Sequence, residues 1–253
     1  MDFYGFYTGS EFHAYEYLGA HVIDGGVAFR VFAPAAKAIS VIGEFNQWQD
    51  TPMQKIYDGN FWECVIPAAK AGQMYKYRIY DQNGGCLDRC DPYGRRMELR
   101  PHSASIICGD GKQKFTDEKW LKTRDGGLDK PLNIYEIHAG SWKCKPDEED
   151  QRDVAEHWYN YRELADLLVP YLKTNHYHYV EMMPLAEHPS DESWGYQISG
   201  FFSPTSRYGT PDDLKYLVNK CHNAGIGVIM DFVPVHFAVD DYALWNFDGT
   251  ALY

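Results

Sequence analysis

Between Leu132 and His236 the chain alternates strand-like and helix-like segments, and this alternation restricts the fold more than any other feature. Leu132-Asn133-Ile134-Tyr135-Glu136-Ile137-His138 reads as a buried strand. Asn160 can cap a helix with Leu164, Leu167, Leu168, Tyr171 and Leu172 on one face, and Pro170 is expected to kink that helix or end its regular part. Tyr179-Val180-Glu181-Met182-Met183-Pro184 is a second strand. Thr210-Pro211-Asp212-Asp213 starts another helix, with a cap, a proline at the first position and two acids at the positive end of the dipole. Leu214, Leu217, Val218 and Cys221 supply its buried face, and Gly225 stops it. The stretch Gly225-Ile226-Gly227-Val228-Ile229-Met230-Asp231-Phe232-Val233-Pro234-Val235-His236 follows and reads as a third strand, buried on both faces. Right-handed crossovers between such strands give a parallel sheet. In barrels built this way, polar residues at the C-terminal strand ends face the active site, and Asp231 and His236 stand there. An Asp at a strand end is equally a turn residue capping backbone amides.

Before this region the pattern differs. Val27-Ala28-Phe29-Arg30-Val31-Phe32, Ala38-Ile39-Ser40-Val41-Ile42, Phe61-Trp62-Glu63-Cys64-Val65-Ile66 and Met74-Tyr75-Lys76-Tyr77-Arg78-Ile79-Tyr80 are short runs bounded by proline or glycine turns. Their spacing predicts an antiparallel β-sandwich, and no helical period is visible before about residue 110. The expected organisation is an aromatic lead-in over 1–20, a β-sandwich over 21–110, a polar linker over 111–131 and a βα region over 132–253. The last stretch is little more than half of the roughly 200 residues that a complete eight-fold barrel needs. The expected fold is therefore multidomain, β then α/β, ending in the first three strands of an incomplete (β/α)8 barrel.

Composition excludes some partners. A net charge of −12 argues against nucleic acid and anionic membranes, because phosphate binding needs clustered Lys and Arg. No stretch approaches a transmembrane length, and the first residues lack a signal-peptide pattern. The six cysteines are scattered without a zinc-type paired spacing, which suits reduced thiols in the cytoplasm. The acidic run Asp147 to Asp153 reads as a solvated loop. Aromatic residues make up 16% of the chain; such faces pack on sugar rings but also fill cores, so Trp48 and Trp62 are open to either reading. His138 and His188, at strand ends, are likewise open between lining a ligand and a satisfied interior histidine.

Several motifs together resemble the 1,4-alpha-glucan branching enzymes of the alpha-amylase clan of glycoside hydrolases. Phe29-Arg30-Val31-Phe32-Ala33-Pro34, Val41-Ile42-Gly43-Glu44-Phe45-Asn46-Gln47-Trp48, Tyr75-Lys76-Tyr77 and Asp91-Pro92-Tyr93 are similar to the immunoglobulin-like glycogen-binding module of that family. Ile134 to Trp142, Met183 to Pro189, Ser193-Trp194-Gly195-Tyr196-Gln197, Pro204 to Pro211, Asp231 to His236 and Phe247-Asp248-Gly249-Thr250 resemble the start of its barrel. The resemblance implies an α-1,4-glucan or glycogen substrate, cleaved with retention and transferred to a 6-hydroxyl, in a full-length monomer. It implies that Tyr196 stacks on the sugar at the cleavage subsite, Asp231 buttresses the catalytic carboxylates and His236 hydrogen-bonds the same sugar. Trp194, His188 and Trp48 complete the expected substrate contacts.

The resemblance places the nucleophile and general acid on later strands, beyond Tyr253, so no catalytic residue is expected in this chain and activity of the chain alone is not expected. No cofactor is expected. Val235 stands where clan amylases carry a calcium-ligating Asn and offers no side-chain oxygen, so no metal is expected there. The alternatives are a non-catalytic α-glucan-binding fragment and an amylase-type hydrolase of the same clan.

Overall fold

In the computed structural model, residues 1–124, 129–145 and 157–253 are described. The chain begins with helix α1 (Phe3–Thr8), then β1 (Gly19–Ile23), β2 (Gly26–Phe32), β3 (Ala38–Gly43), β4 (Thr51–Pro52), β5 (Gln54–Ile56), β6 (Phe61–Ile66), β7 (Met74–Tyr80), β8 (Cys86–Arg89) and β9 (Ser105–Ile106). These strands form two antiparallel sheets, ordered β1-β2-β6-β5 and β4-β3-β7-β8, with β9 also on β7. Alternation explains the layering: in β7, Tyr75, Tyr77 and Ile79 are buried while their neighbours are not. They meet Phe29, Val31, Ile39, Val41 and Trp62 in one core. Trp62 belongs to that core, and its indole N–H donates to the Ala33 carbonyl at 3.0 Å. Asp91 lies at the core's edge, where its carboxylate accepts Tyr75 OH at 2.6 Å, Tyr77 OH at 3.1 Å and the Tyr93 N–H at 2.8 Å. Burial pushes its carboxyl up to about 6 against those hydrogen bonds.

The lead-in is helical at its start, contrary to the expectation of no helix there. Six residues are too few for a visible period, and α1 is held by tertiary contacts instead. Phe3 stacks on Tyr57 with centroids 4.1 Å apart, and Phe6 meets Phe32 and Phe61 edge-on.

Helix α2 (Glu118–Thr123) lies in the expected linker, which is docked rather than loose. His222 Nδ1 and Asp117 pair at 2.6 Å, Trp120 stacks on His222, and the Thr116 N–H donates to Asn219. The glycines at 126 and 127, and the acidic run from Asp147, lie outside the described residues. After them come β10 (Ile134–Ile137), α3 (Tyr161–Thr174), β11 (Tyr179–Met182), β12 (Ala186–Glu187), β13 (Gly200–Pro204), α4 (Pro211–Asn223) and β14 (Gly227–Met230). β10, β11 and β14 form a parallel sheet in that order, with α3 and α4 as the crossovers.

Both helices begin where their capping boxes stand. Asn160 accepts from Arg162 and Glu163, and Thr210 accepts from Asp213. Pro170 does not end α3: the helix runs on to Thr174. Proline removes one helical hydrogen bond, yet it sits on the exposed side, while Tyr161, Leu164, Leu168 and Leu172 are fully buried beneath. Their combined burial exceeds the roughly 3 kcal/mol cost of the proline.

Burial of the strands also departs from expectation. β11 is central, but β10 and β14 are edges; Ile134 is 42% and Met230 44% exposed, so neither strand is buried on both faces. Register explains the asymmetry. Ile137, Val180 and Met182 face α3 and α4, whereas Glu136 pairs with Glu181, and Glu181 with Ile229, on the opposite face.

The βα region does not stay on its own side. Leu244 and Phe247 are buried in the sandwich core, joined by half-buried Phe201, Phe237 and Leu252. The Arg89 guanidinium on β8 donates to the carbonyls of Asp241 (2.6 Å), Ala243 (3.4 Å) and Asn246 (2.6 Å). The Asp248 carboxylate accepts the Ala35 N–H at 2.9 Å and the Thr250 hydroxyl at 2.7 Å. Gly249 has φ +89°, and a Cβ there would sit 2.8 Å from Asp81 Cβ. The run Phe247-Asp248-Gly249-Thr250 is thus a plug that ties the two regions together. Among the described residues no helix is long and apolar enough to cross a membrane.

Candidate glucan site at the strand ends

The C-terminal ends of β10, β11 and β14 carry His138, Pro184 and Asp231. Asp231 continues the ladder beyond β14, since its N–H donates to the Met182 carbonyl at 3.0 Å. Its side chain therefore falls on the face of Ile229, Glu181 and Glu136.

A long loop after β11 brings in the aromatic partners. β12 and β13 pair as its base, a 3-10 turn spans Asp191–Ser193, and Trp194 follows in the left-handed region with φ +55°. Gly195 also has positive φ, and a Cβ on it would lie 2.4 Å from the Pro184 carbonyl oxygen, so a side chain is excluded there. This tight turn aims Tyr196 at the sheet. Its hydroxyl donates to Asp231 Oδ2 at 2.7 Å, which pushes the phenol up to about 12 and keeps it neutral. Trp194 is 57% exposed, with its ring centroid 6.2 Å from that of His138.

His236 is exposed, and its backbone is pinned: the Ile198 N–H donates to its carbonyl at 3.1 Å. The same bridge ties Ile198 to Ala238 at 3.0 Å, linking the Tyr196 loop with the segment after β14. The structure thus joins Tyr196 to Asp231 directly, sets Trp194 beside His138 at the end of β10, and ties the backbone of His236 to the Tyr196 loop through Ile198. His188 stands apart from them in environment. It is 3% exposed, its Nδ1–H donates to the Ala186 carbonyl at 2.8 Å, and burial with the nearby Arg207 charge holds it down at about 4. It is a neutral interior histidine. Trp48 lies in the sandwich on the turn after β3, 38% exposed and with φ +59°.

Sequence reasoning missed two groups. Glu136 and Glu181 share the face of Asp231, and both oppose ionisation of Tyr196 through their charge. Both had been passed over as interior positions of buried strands. Arg207, 1% exposed in its side chain, was also passed over inside a motif. Its burial follows from the fold of the loop, and no local pattern in the sequence marks it.

Comparison with known proteins adds a second line. Residues 17–94 match the model described as carbohydrate-binding module 48 (isoamylase N-terminal domain), and residues 166–246 match the alpha amylase catalytic domain. A solved structure of a putative alpha amylase from Salmonella typhimurium superposes with a TM-score of 0.70 over 92% of this chain and 35% of its own, at 23% identity, which speaks to the fold alone. Module and sheet together define a class of architecture: a sandwich similar to carbohydrate-binding module 48 leading into the start of an alpha-amylase-type domain.

Within that class, all of this chain aligns with curated 1,4-alpha-glucan branching enzymes named GlgB. It is 44% identical over 256 residues to the protein of Fusobacterium nucleatum subsp. nucleatum, covering 41% of it. It is 46% identical over 262 residues to that of Methylococcus capsulatus (34% covered), and 44% identical over 261 residues to that of Bacillus caldolyticus (38% covered). The chain is thus similar to 1,4-alpha-glucan branching enzymes along its whole length and spans about two fifths or less of the length of these relatives.

Proposed function

We propose that the end of the parallel sheet is an α-1,4-glucan subsite of a branching enzyme, with a glucosyl ring stacked on Tyr196. The Tyr196–Asp231 hydrogen bond of 2.7 Å, beside open Trp194 and His236, carries this reading. A neutral phenol presents an apolar ring face to the sugar, and His236 is free to hydrogen-bond its hydroxyls. The whole protein, on this reading, cleaves an α-1,4 bond with retention and passes the chain to a 6-hydroxyl, forming a branch in glycogen. That chemistry needs two carboxyl groups about 5–5.5 Å apart, one as nucleophile and one as acid. On this reading Asp231, holding the Tyr196 hydroxyl at the end of β14, takes the supporting role that the resemblance gives it rather than either of these two.

For the 253-residue chain itself we propose glucan binding without turnover. Near the site, Glu187 and Asp191 are engaged by Arg207 and are not available to attack or protonate a glycosidic bond. Trp48 offers a second, separate aromatic contact in the module. The six free cysteines fit a reducing cytoplasm. Titration with maltoheptaose by calorimetry tests the binding reading. Tyr196→Ala is expected to weaken affinity about tenfold, the scale of losing one aromatic stacking partner. Unchanged affinity would remove Tyr196 from the site. Iodine-stain loss with amylose, catalysed by this chain, would overturn the view that it does not turn over.

A further inference from the structure

Arg207 sits on the 3-10 turn Ser206–Tyr208 between β13 and α4, and its guanidinium is turned inward. Nη1 donates to Glu187 Oε1 (2.8 Å), the His188 carbonyl (2.8 Å) and Thr205 Oγ1 (3.2 Å). Nε donates to Asp191 Oδ1 at 2.7 Å, and Nη2 to the Pro189 carbonyl at 3.4 Å. One side chain thereby grips positions 187, 188, 189 and 191 of the loop that leads to the site. Glu187 is itself fixed by the Ser206 N–H (2.7 Å) and the Thr205 hydroxyl (3.0 Å). Arg100, from the segment after the sandwich, also pairs with Asp191. From Asp191 the hydrogen bonds run on directly: Trp194 N–H to Asp191 O at 3.1 Å, then Tyr196 N–H to Ser193 O at 3.0 Å. The next bond in that series is Tyr196 OH to Asp231.

We propose that Arg207 is the positioning residue of the Trp194–Tyr196 arm, setting glucan affinity at Asp231 from a guanidinium that the ligand never reaches. The functional half of this inference rests on the glucan-site reading; the mechanical half does not. A fork of fixed donors holds several acceptors in one geometry, which a lysine ammonium on a flexible stem does not reproduce. Burial makes the clamp rigid, since Glu187 has no water to exchange with when the guanidinium leaves. On their N-terminal side the left-handed Trp194 and Gly195 hang on the turn over Ser190–Ser193 that Asp191 belongs to; on their C-terminal side the Ile198 bridge to His236 closes the arm.

Arg207→Lys and Asp191→Asn test the clamp, the second as a milder variant that leaves the Arg207–Glu187 pair in place. Amide hydrogen exchange of the unliganded chain is the first readout. Residues 189–197 are expected to exchange about tenfold faster or more, the scale of losing a charged hydrogen bond, while α3 and the sandwich strands keep their rates. Unchanged exchange over 189–197 overturns the proposal. Acceleration spread evenly through α3, β11 and α4 also overturns it, since that marks a general loss of stability. Maltoheptaose affinity in a double-mutant cycle is the second readout. Arg207→Lys is expected to weaken binding about fivefold in the native background and not at all alongside Tyr196→Ala. Independent, multiplying effects would contradict action through Tyr196. If Tyr196→Ala alone leaves affinity unchanged, the site reading fails, and the exchange result still decides the clamp. If Arg207→Lys does not fold, Asp191→Asn carries both readouts with smaller effects in the same directions.

Discussion

The sandwich and the parallel sheet close their apolar surfaces in opposite ways. In the sandwich, two sheets cover one another, and the gap left at one end is filled by Leu244 and Phe247 from more than a hundred residues away. In the parallel sheet, α3 and α4 cover one face, while the other carries Glu136, Glu181 and Asp231. The closed region buries even its acid, Asp91, under two tyrosine hydroxyls. The open face of the parallel sheet carries Glu136 exposed and Glu181 and Asp231 half-buried, and a loop supplies the aromatic contacts. The groups we propose for binding therefore collect where packing is one-sided, and the closed region frames them.

That contrast is breakable. Phe247→Ala is expected to have the largest effect, about 3–5 kcal/mol, because it empties a fully buried site shared by both regions. Urea unfolding followed by tryptophan fluorescence and by circular dichroism checks it. The two regions are expected to lose stability together, and two separate transitions would show that the plug does not couple them. Asp91→Ala comes next, at about 3 kcal/mol, since it leaves two buried hydroxyls without their acceptor. The same unfolding curves measure it.

The two regions should also respond to pH with opposite signs. His188 is held near 4 in the fold, below its ordinary value of 6.5, so its contribution is fully present above about 6.5 and is lost as pH falls toward 4. Asp91 is raised to about 6 from 3.8, so its contribution is present below 3.8 and is lost as pH rises through 6. Stability measured from pH 4 to 7 should rise more gently in His188→Gln and more steeply in Asp91→Asn than in the parent chain. Equal slopes would contradict both assignments. The smallest effect is expected of Met230→Ser, within about 0.5 kcal/mol, because that side chain is already 44% exposed. A large loss there would show that the edge of β14 is covered after all.

Much of the frame was legible in the residues, and the reasons differ by element. Phe61–Ile66 and Met74–Tyr80 stand at the expected bounds, because an apolar run or a period-two alternation closed off by turn residues is a local signal. The caps at Asn160 and Thr210 were equally local. Helix α1, the continuation of α3 past Pro170, and the plug at Phe247 depend on contacts distant in sequence, and no local pattern encodes them. At the proposed site, Tyr196, Asp231, Trp194 and His236 are legible through motif resemblance, and of these the structure joins Tyr196 to Asp231. Glu136 and Glu181 became visible only with the register of β10 on β11, which single segments do not carry. Burial of His188 and inward turning of Arg207 are likewise products of the loop's fold.

The central claim is that the sugar lies on Tyr196 at the end of the parallel sheet. A crystal structure of the chain with maltoheptaose tests it most directly. A glucosyl ring is expected against the Tyr196 face, with sugar hydroxyls hydrogen-bonded to His236. Maltoheptaose bound only at Trp48 on the sandwich, with the Tyr196–Asp231 end empty at saturating ligand, would contradict it.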